Sequence, residues 1–465
     1  KYKNSLFYES SEDSLGFREA CALYKVFLSE ATALGKRLWT TFDTKGMVFG
    51  ILITLFSFLL DIPFVLSEVR KMRGISLTEC CVAFLLMMFQ CALLTFSNSY
   101  IESEQSIIMF SLSILCVLLS ARRGLLYVAL SRHPGIIRKK DARFSQMQND
   151  LFDASWMLLF VPCCSRLGEI FVAGHGMDPS IRRYAAHNPL VFISSLAALS
   201  FLRIKVKSTQ KKRFGLRFEF LLRDVCDLFQ IVTLGLSWVE KRSSDVARNG
   251  YLMCRISIVL SLFCLAISIL RPGVTWIHSQ YAVIMFQYMS LLMALTGPSS
   301  GSSTVLFLLQ IWALHRITKT IGLLEVHNMI LAALWRMCTR HMFFATGHAC
   351  SFNRLQFSAA FVATDVFYFQ SAGVSLFLNT FGWEILGNCL VGFASIVSRK
   401  ESIWKWFCFF QLIEVSCSCI SVSLMRRHLM VWAIFAPRFV FAVIFSSFTL
   451  FIRLCLVVFF SKTAD

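Results

Sequence analysis

Apolar runs separated by short polar or basic stretches recur from about residue 47 to the end of the chain. A helix needs ~20 predominantly apolar residues to cross ~30 Å of hydrocarbon. On that criterion the pattern predicts spans over 47–66, 77–96, 105–121, 151–173, 188–202, 218–239, 251–270, 280–296, 303–315, 324–345, 371–397, 403–424 and 435–460. Helices satisfy their own backbone hydrogen bonds in lipid, whereas barrel strands would read as short alternating segments. The predicted class is therefore all-α: a polytopic integral membrane helix bundle of about thirteen transmembrane helices. It occupies 46–465, with a lumenal or interfacial segment over 346–370. Residues 1–45 are more polar and only partly periodic, with a loop-like stretch through Ser10, Ser11, Glu12 and Asp13. They read as a juxtamembrane segment following a domain that lies further upstream.

Composition strengthens the membrane assignment. Hydrophobic residues make up 56%, charged residues only 16%, and Phe occurs 46 times. A soluble domain carries about 25% charge. The formal charge of +19 raises the question of nucleic acid, but its distribution answers it: the basic residues gather in alternate loops. The first, third and fifth loops carry three, seven and seven Lys or Arg, and the second, fourth and sixth carry none, two and three. That alternation is the positive-inside pattern. It predicts a lumenal N-terminal segment and, for an odd span count, a cytosolic C-terminus, with no nucleic-acid partner. The 17 cysteines show no paired CxxC and His spacing. Cys80, Cys81, Cys91, Cys116, Cys163, Cys164, Cys264, Cys417 and Cys419 lie in or beside apolar spans, where Cys acts as a small hydrophobe.

Ionisable residues within spans are costly in lipid and face a bundle interior or a cavity. Asp61 stands beside Pro63, which suggests a kinked helix with a buried carboxylate. Arg166 and Glu169 are three apart, on one helical face. Glu219, Arg223, Asp224 and Asp227 open the sixth span. Each group can be a helix-end snorkeller or internal ion pair, or can line a polar cavity for a lipid headgroup. No Walker loop, dinucleotide-binding glycine motif, nucleophile elbow or HExxH is present. Gly174-His175-Gly176-Met177-Asp178 holds one His and one Asp without further ligands nearby, and reads as a connection rather than a metal site.

Two stretches near the C-terminus are more specific. Phe343-Phe344-Ala345-Thr346-Gly347-His348 is followed by Phe352, Gln356, Ala359-Ala360-Phe361 and Asn379-Thr380-Phe381. Read physically, a span ends in a Gly-His turn on the lumenal side, and an amphipathic interfacial segment follows. Arg426-Arg427-His428-Leu429-Met430-Val431-Trp432 is followed by Phe435-Ala436-Pro437-Arg438-Phe439. It places two Arg and a His on the lumenal face, against the positive-inside trend. Guanidinium groups there can hold a phosphate bidentately; ordinary phospholipid headgroups are the plainer ligand.

These strings, in this order, resemble the C-terminal membrane region of the GPI ethanolamine phosphate transferases, most closely the third-mannose type. Ala433 and Ala442 depart from the family's pattern, where a Lys and an acidic residue are usual. The resemblance implies an endoplasmic reticulum enzyme of two parts. By this resemblance, a lumenal catalytic domain outside these 465 residues would carry a Thr nucleophile and two metal ions, expected to be zinc, while no cofactor is expected in this chain. It would pass phosphoethanolamine from phosphatidylethanolamine to a mannose of the GPI precursor, with a small membrane subunit stabilising the assembly. No catalytic residue is assigned within this chain. Gly347, His348, Arg426, Arg427 and His428 become the candidate headgroup residues, with Asp61, Arg166, Glu169, Asp224 and Asp227 as intramembrane polar candidates. A non-catalytic scaffold or assembly subunit and a lipid transporter are the alternatives. A transporter predicts internal repeats and paired broken helices, and neither stands out among only 8 Pro.

Overall fold

The computed structural model describes residues 13–40, 43–71, 75–96, 100–132 apart from 102, 142–171, 301–324, 327–362, 368–397, 400–426 and 431–461, with isolated residues between 255 and 295. Among these residues there are ten long helices and no strand. They are α1 (Asp13–Thr40), α2 (Thr44–Lys71), α3 (Ile75–Phe96), α4 (Glu104–Arg132), α5 (Ala142–Phe171), α6 (Gly301–Leu324), α7 (Asn328–Ala345), α8 (Phe369–Val397), α9 (Glu401–Leu424) and α10 (Ala436–Ser461). The spans expected at 188–202 and 218–239, and most of those at 251–270 and 280–296, lie outside the described residues.

Among the described residues, five helical stretches are long and apolar enough to cross a membrane: Thr44–Arg70, Glu104–Ala129, Phe369–Ser395, Glu401–Leu424 and Val431–Cys455. Leu77–Leu93 and Leu306–Thr318 are shorter apolar stretches. On α2, Leu52, Leu55, Phe56, Leu59 and Leu60 are all more than half exposed. A continuous apolar face of that kind is at home in lipid and not in water.

The elements run longer than the apolar pattern alone. α4 continues past 121 through Arg122 and Arg123, which the sequence places in a loop. Both reach Glu79 on α3, and the Arg123–Glu79 pair measures 3.3 Å, so partnered side chains let the helix extend. The span expected at 324–345 is divided: Leu324 ends α6, and α7 begins at Asn328. His327 caps the new helix, its Nδ1 accepting the Met329 N–H at 3.2 Å and satisfying an otherwise orphaned donor. Residues 13–40, read as polar and loop-like at their start, form a single helix of 28 residues. α2 runs unbroken through Pro63.

α7 is the axis of the bundle. It touches α3, α4, α8 and α9, and more lightly α5 and α6, while α10 lies over α8 and α9 and α2 lies against α9. Every residue from Met329 to Ala345 is buried. α7 is less apolar than α3, α8 and α9 because protein, not lipid, surrounds it. It comes close to α8, where a Cβ on Gly387 would stand 2.3 Å from Thr339 Cγ2. Only glycine allows the two backbones so near.

Contacts sort the helix termini into two ends. At one end lie the C-termini of α3, α7 and α9 with the N-termini of α4 and α10; the Ser421 hydroxyl donates to the Thr95 carbonyl there at 3.3 Å. At the other end Asn328 meets Ser402 and His327 faces Glu68.

Candidate functional site: a buried ionic node beneath a Gly-His turn

Arg336 and Arg340 stand one turn apart on the same face of α7. Arg336 reaches Glu384 on α8 and Glu414 on α9. Arg340 reaches Glu104 on α4 at 2.8 Å and Glu414 at 3.4 Å. Arg438, near the start of α10, joins the same two carboxylates at 2.9 and 3.1 Å and lies 3.3 Å from the Ser418 hydroxyl. All six side chains are buried. Three guanidinium groups thus meet three carboxylates, and the node is neutral as a whole. A single one of these charges would be costly in a bilayer interior, and mutual pairing makes the set tolerable. Aromatic rings add to it: Arg340 lies 5.0 Å from the Phe445 ring centre and 5.1 Å from that of Phe344, within cation–π range.

Beside the node is a cavity of about 20 Å³ measured to water centres. It is lined by Gln90 and Cys91 of α3, Glu104 and Ile107 of α4, Arg336 and Arg340 of α7, Glu414 and Arg438. That space accommodates a water molecule, and Gln90 Nε2 and Arg340 Nη1 are buried donors without a protein acceptor beside it. The cavity is too small for a lipid headgroup.

One helical turn from Arg340, α7 stops. Gly347 takes φ 86°, and its N–H donates to the Phe344 carbonyl at 2.9 Å while the Thr346 N–H donates to Met342 O at 3.1 Å. This is a glycine C-terminal cap in the left-handed region. His348 is buried with its ring stacked 5.5 Å from that of Phe343. Burial pulls its pKa down to about 4, so the imidazole is neutral near pH 7 and brings no charge to a phosphate. The following segment forms two short 3-10 turns, Phe352–Arg354 and Phe357–Phe361. Gln356 fastens it: Nε2 donates to the Thr346 carbonyl at 2.9 Å, and Oε1 accepts from Asn379 Nδ2 at 3.1 Å. Phe381 packs on Phe441 at 5.4 Å and Phe343 on Phe445 at 5.2 Å. Thr346, Gln356, Asn379 and the aromatic positions of the first string are accordingly joined to one another and to α10.

The second string divides. Arg426 is half-buried and donates to the Ser423 carbonyl at 2.7 Å, completing the C-terminus of α9; cations suit that end of a helix dipole. Trp432 is 63% exposed, in a π-helical turn over Val431–Phe435. Arg438 belongs to the node. Arg427 and His428 lie outside the described residues, as do Glu219, Arg223, Asp224, Asp227 and the stretch Gly174 to Asp178.

The other polar candidates are spread out. Asp61 is half-buried on α2, not enclosed as its sequence position suggests, because α2 sits at the rim of the bundle. Arg166 is exposed on α5, and the Glu169 side chain is outside the described set. Neither Asp61 nor Arg166 joins the node. Among the described residues no three His, Cys, Asp or Glu side chains gather as metal ligands, so no metal-dependent step is assigned to them.

Sequence reasoning missed Glu104, Arg336, Arg340, Glu384 and Glu414, and quoted Arg438 without a role. The signal was available: two arginines at i and i+4 inside an apolar span, with a lone Glu in each of two later spans.

No protein-family description and no solved structure matches the chain. Among curated proteins it is 27% identical over 282 residues to GPI ethanolamine phosphate transferase 3 of Saccharomyces cerevisiae, covering 56% of this chain and 27% of that protein. It is 28% identical over 177 residues to the protein of the same name from Eremothecium gossypii, covering 35% and 17%. GPI ethanolamine phosphate transferase 2 of Schizosaccharomyces pombe is 26% identical over 128 residues, covering 28% and 16%. The chain spans about a quarter or less of the length of these relatives. Over part of its length, this helical chain is thus similar to GPI ethanolamine phosphate transferases, those numbered 3 foremost.

Proposed function

We propose that the chain is the membrane portion of an endoplasmic reticulum phosphoethanolamine transferase of GPI-anchor biosynthesis. In this reading the bundle crosses the membrane about thirteen times, with a lumenal N-terminal side and a cytosolic C-terminus. The transferred group comes from phosphatidylethanolamine, and the acceptor is a mannose of the GPI precursor, the third. A lumenal catalytic domain, anchored through residues 1–45, would supply the nucleophile and a two-zinc site, whose chemistry would be to activate that nucleophile and stabilise the charge that develops on the phosphoryl group. A small membrane subunit stabilises the assembly.

One observation carries this reading: the two strings that resemble the transferases, far apart in sequence, meet at one end of the bundle. Phe343 and Phe381 of the first pack against α10 just after the second, and Arg340 and Arg438 share Glu104. The connection before α4, 97–103, carries no Lys or Arg, whereas 72–74, 133–141 and 398–400, between helix termini of the opposite end, carry one, three and two; Arg426 and Arg427 are the exception to this contrast. That asymmetry supports a lumenal assignment for the node's end. Both substrates are lipids whose reacting groups meet just above the bilayer, and holding them there removes much of the entropic cost of encounter. The node fixes five helices, α4, α7, α8, α9 and α10, and with them the floor beneath that site. The Gly347-His348 turn and Arg426 stand at its mouth, and the sequence adds Arg427 and His428 as headgroup candidates.

Replacing Arg426 and Arg427 together by Gln in the native protein tests the positioning role. A raised apparent Michaelis constant for the lipid substrates at normal abundance is the expected result. Unchanged kinetics at normal abundance contradicts it, and loss of abundance with unchanged specific activity favours the scaffold alternative.

A further inference from the structure

Among the described long helices, α1 is the one without a buried side chain: all of those described on it, from Arg18 to Gly35, are exposed. At 100° per residue, Leu23, Tyr24, Phe27, Leu28 and Leu34 fall within about 140° of arc. Their exposures run from 45% to 71%. Arg18, Lys25, Ser29 and Thr32 occupy the opposite side, Glu19 and Glu30 border the apolar arc beside Leu23, and Val26 is the only large apolar residue described off that arc. Such a helix is stable only with its apolar face covered.

Its place in the chain says what covers it. α1 ends at Thr40 and α2 begins at Thr44, so the two termini are held within about 15 Å of each other. Asp43 caps α2, its carboxylate accepting the Gly46 N–H at 3.0 Å. No residue in the apolar window of α2 is fully buried, and Val48, Phe49, Leu52 and Ile53 near its start are at least half exposed, so this end of α2 stands at the edge of lipid. A membrane-spanning helix therefore begins, beside open bilayer, where α1 stops. An amphipathic helix with cations on its polar side and aromatic and aliphatic residues on the other lies in the headgroup plane of such a surface. We infer that α1 is an interfacial helix whose Leu23–Phe27–Leu34 face is seated in the bilayer surface.

The full chain, reconstituted in phosphatidylcholine nanodiscs that contain a diazirine-bearing phosphatidylcholine, tests this by mass-spectrometric mapping of adducts. Adducts are expected on Leu23, Phe27 and Leu34 and not on the Arg18–Lys25 side. Leu23→Glu with Phe27→Glu should lower the α1 yield by about tenfold or more, while Leu52 and Leu59 on α2 label as before and report an intact bundle. Absence of adducts on α1 while α2 labels fully overturns the inference, whether the helix then stands in water or under a protein partner. Equal labelling of both α1 faces overturns it as well.

Discussion

Glu414 is the residue on which the node turns, because Arg336, Arg340 and Arg438 all reach it. Glu414→Gln leaves three guanidinium groups with two carboxylates in a buried site, a change that costs about 3–5 kcal/mol when one partner of a buried pair is lost. Thermal unfolding in detergent should show a large drop. Glu401→Gln, at a carboxylate 72% exposed with Lys405 3.5 Å away, should change stability by under ~1 kcal/mol. Equal effects of the two substitutions would mean that the node does not hold the bundle. His348 supplies a second test at this scale. Its folded pKa of about 4 lies below the ordinary ~6.5, so between those values the unfolded chain binds more protons. Its contribution is complete above pH 6.5 and is lost as pH falls toward 4, up to roughly 3 kcal/mol. Between pH 7.5 and 5 the native chain should lose more stability than His348→Gln; parallel losses would contradict the buried, neutral imidazole. Neither role was legible beforehand. Apolar periodicity finds spans but is blind to which polar residues the spans bring together, and Arg340, Glu104 and Arg438 share one site only because α7, α4 and α10 come level in space.

Helices themselves were more legible. Nine of the apolar runs coincide with described helices, because the length needed to cross hydrocarbon is a strong constraint on sequence. Their ends were not, since partnered charges such as Arg123 with Glu79 let helices run into what reads as loop. α7 is the instructive element: its polar residues lower its apolarity, yet among the described helices it is the most enclosed. Its packing on α8 makes a prediction. Gly387→Ala puts a methyl against Thr339 Cγ2 and should cost about 1–3 kcal/mol by overpacking. Gly373→Ala on the same helix meets nothing within 4 Å and should be neutral or stabilising by up to ~1 kcal/mol through helix propensity. Paired unfolding midpoints check both; a tolerated Gly387→Ala would mean that α7 and α8 are not in close contact. α1 was legible only as a partly periodic polar segment, because an interfacial helix is too polar to register as a span.

At the scale of the whole molecule, a neutral ionic node joins five helices, and the turns and strings that resemble the transferases sit at that same end. Glu104, Arg340 and Arg438 connect the buried charge to the Gly347 turn through a single stretch of α7, which links the stability of the bundle to the geometry of its proposed lipid-facing mouth. The most direct measurement is the profile of GPI precursor lipids, by mass spectrometry, in source cells whose gene for this chain has been disrupted. The account predicts accumulation of precursors short of one phosphoethanolamine, on the third mannose. An unchanged precursor profile would contradict it.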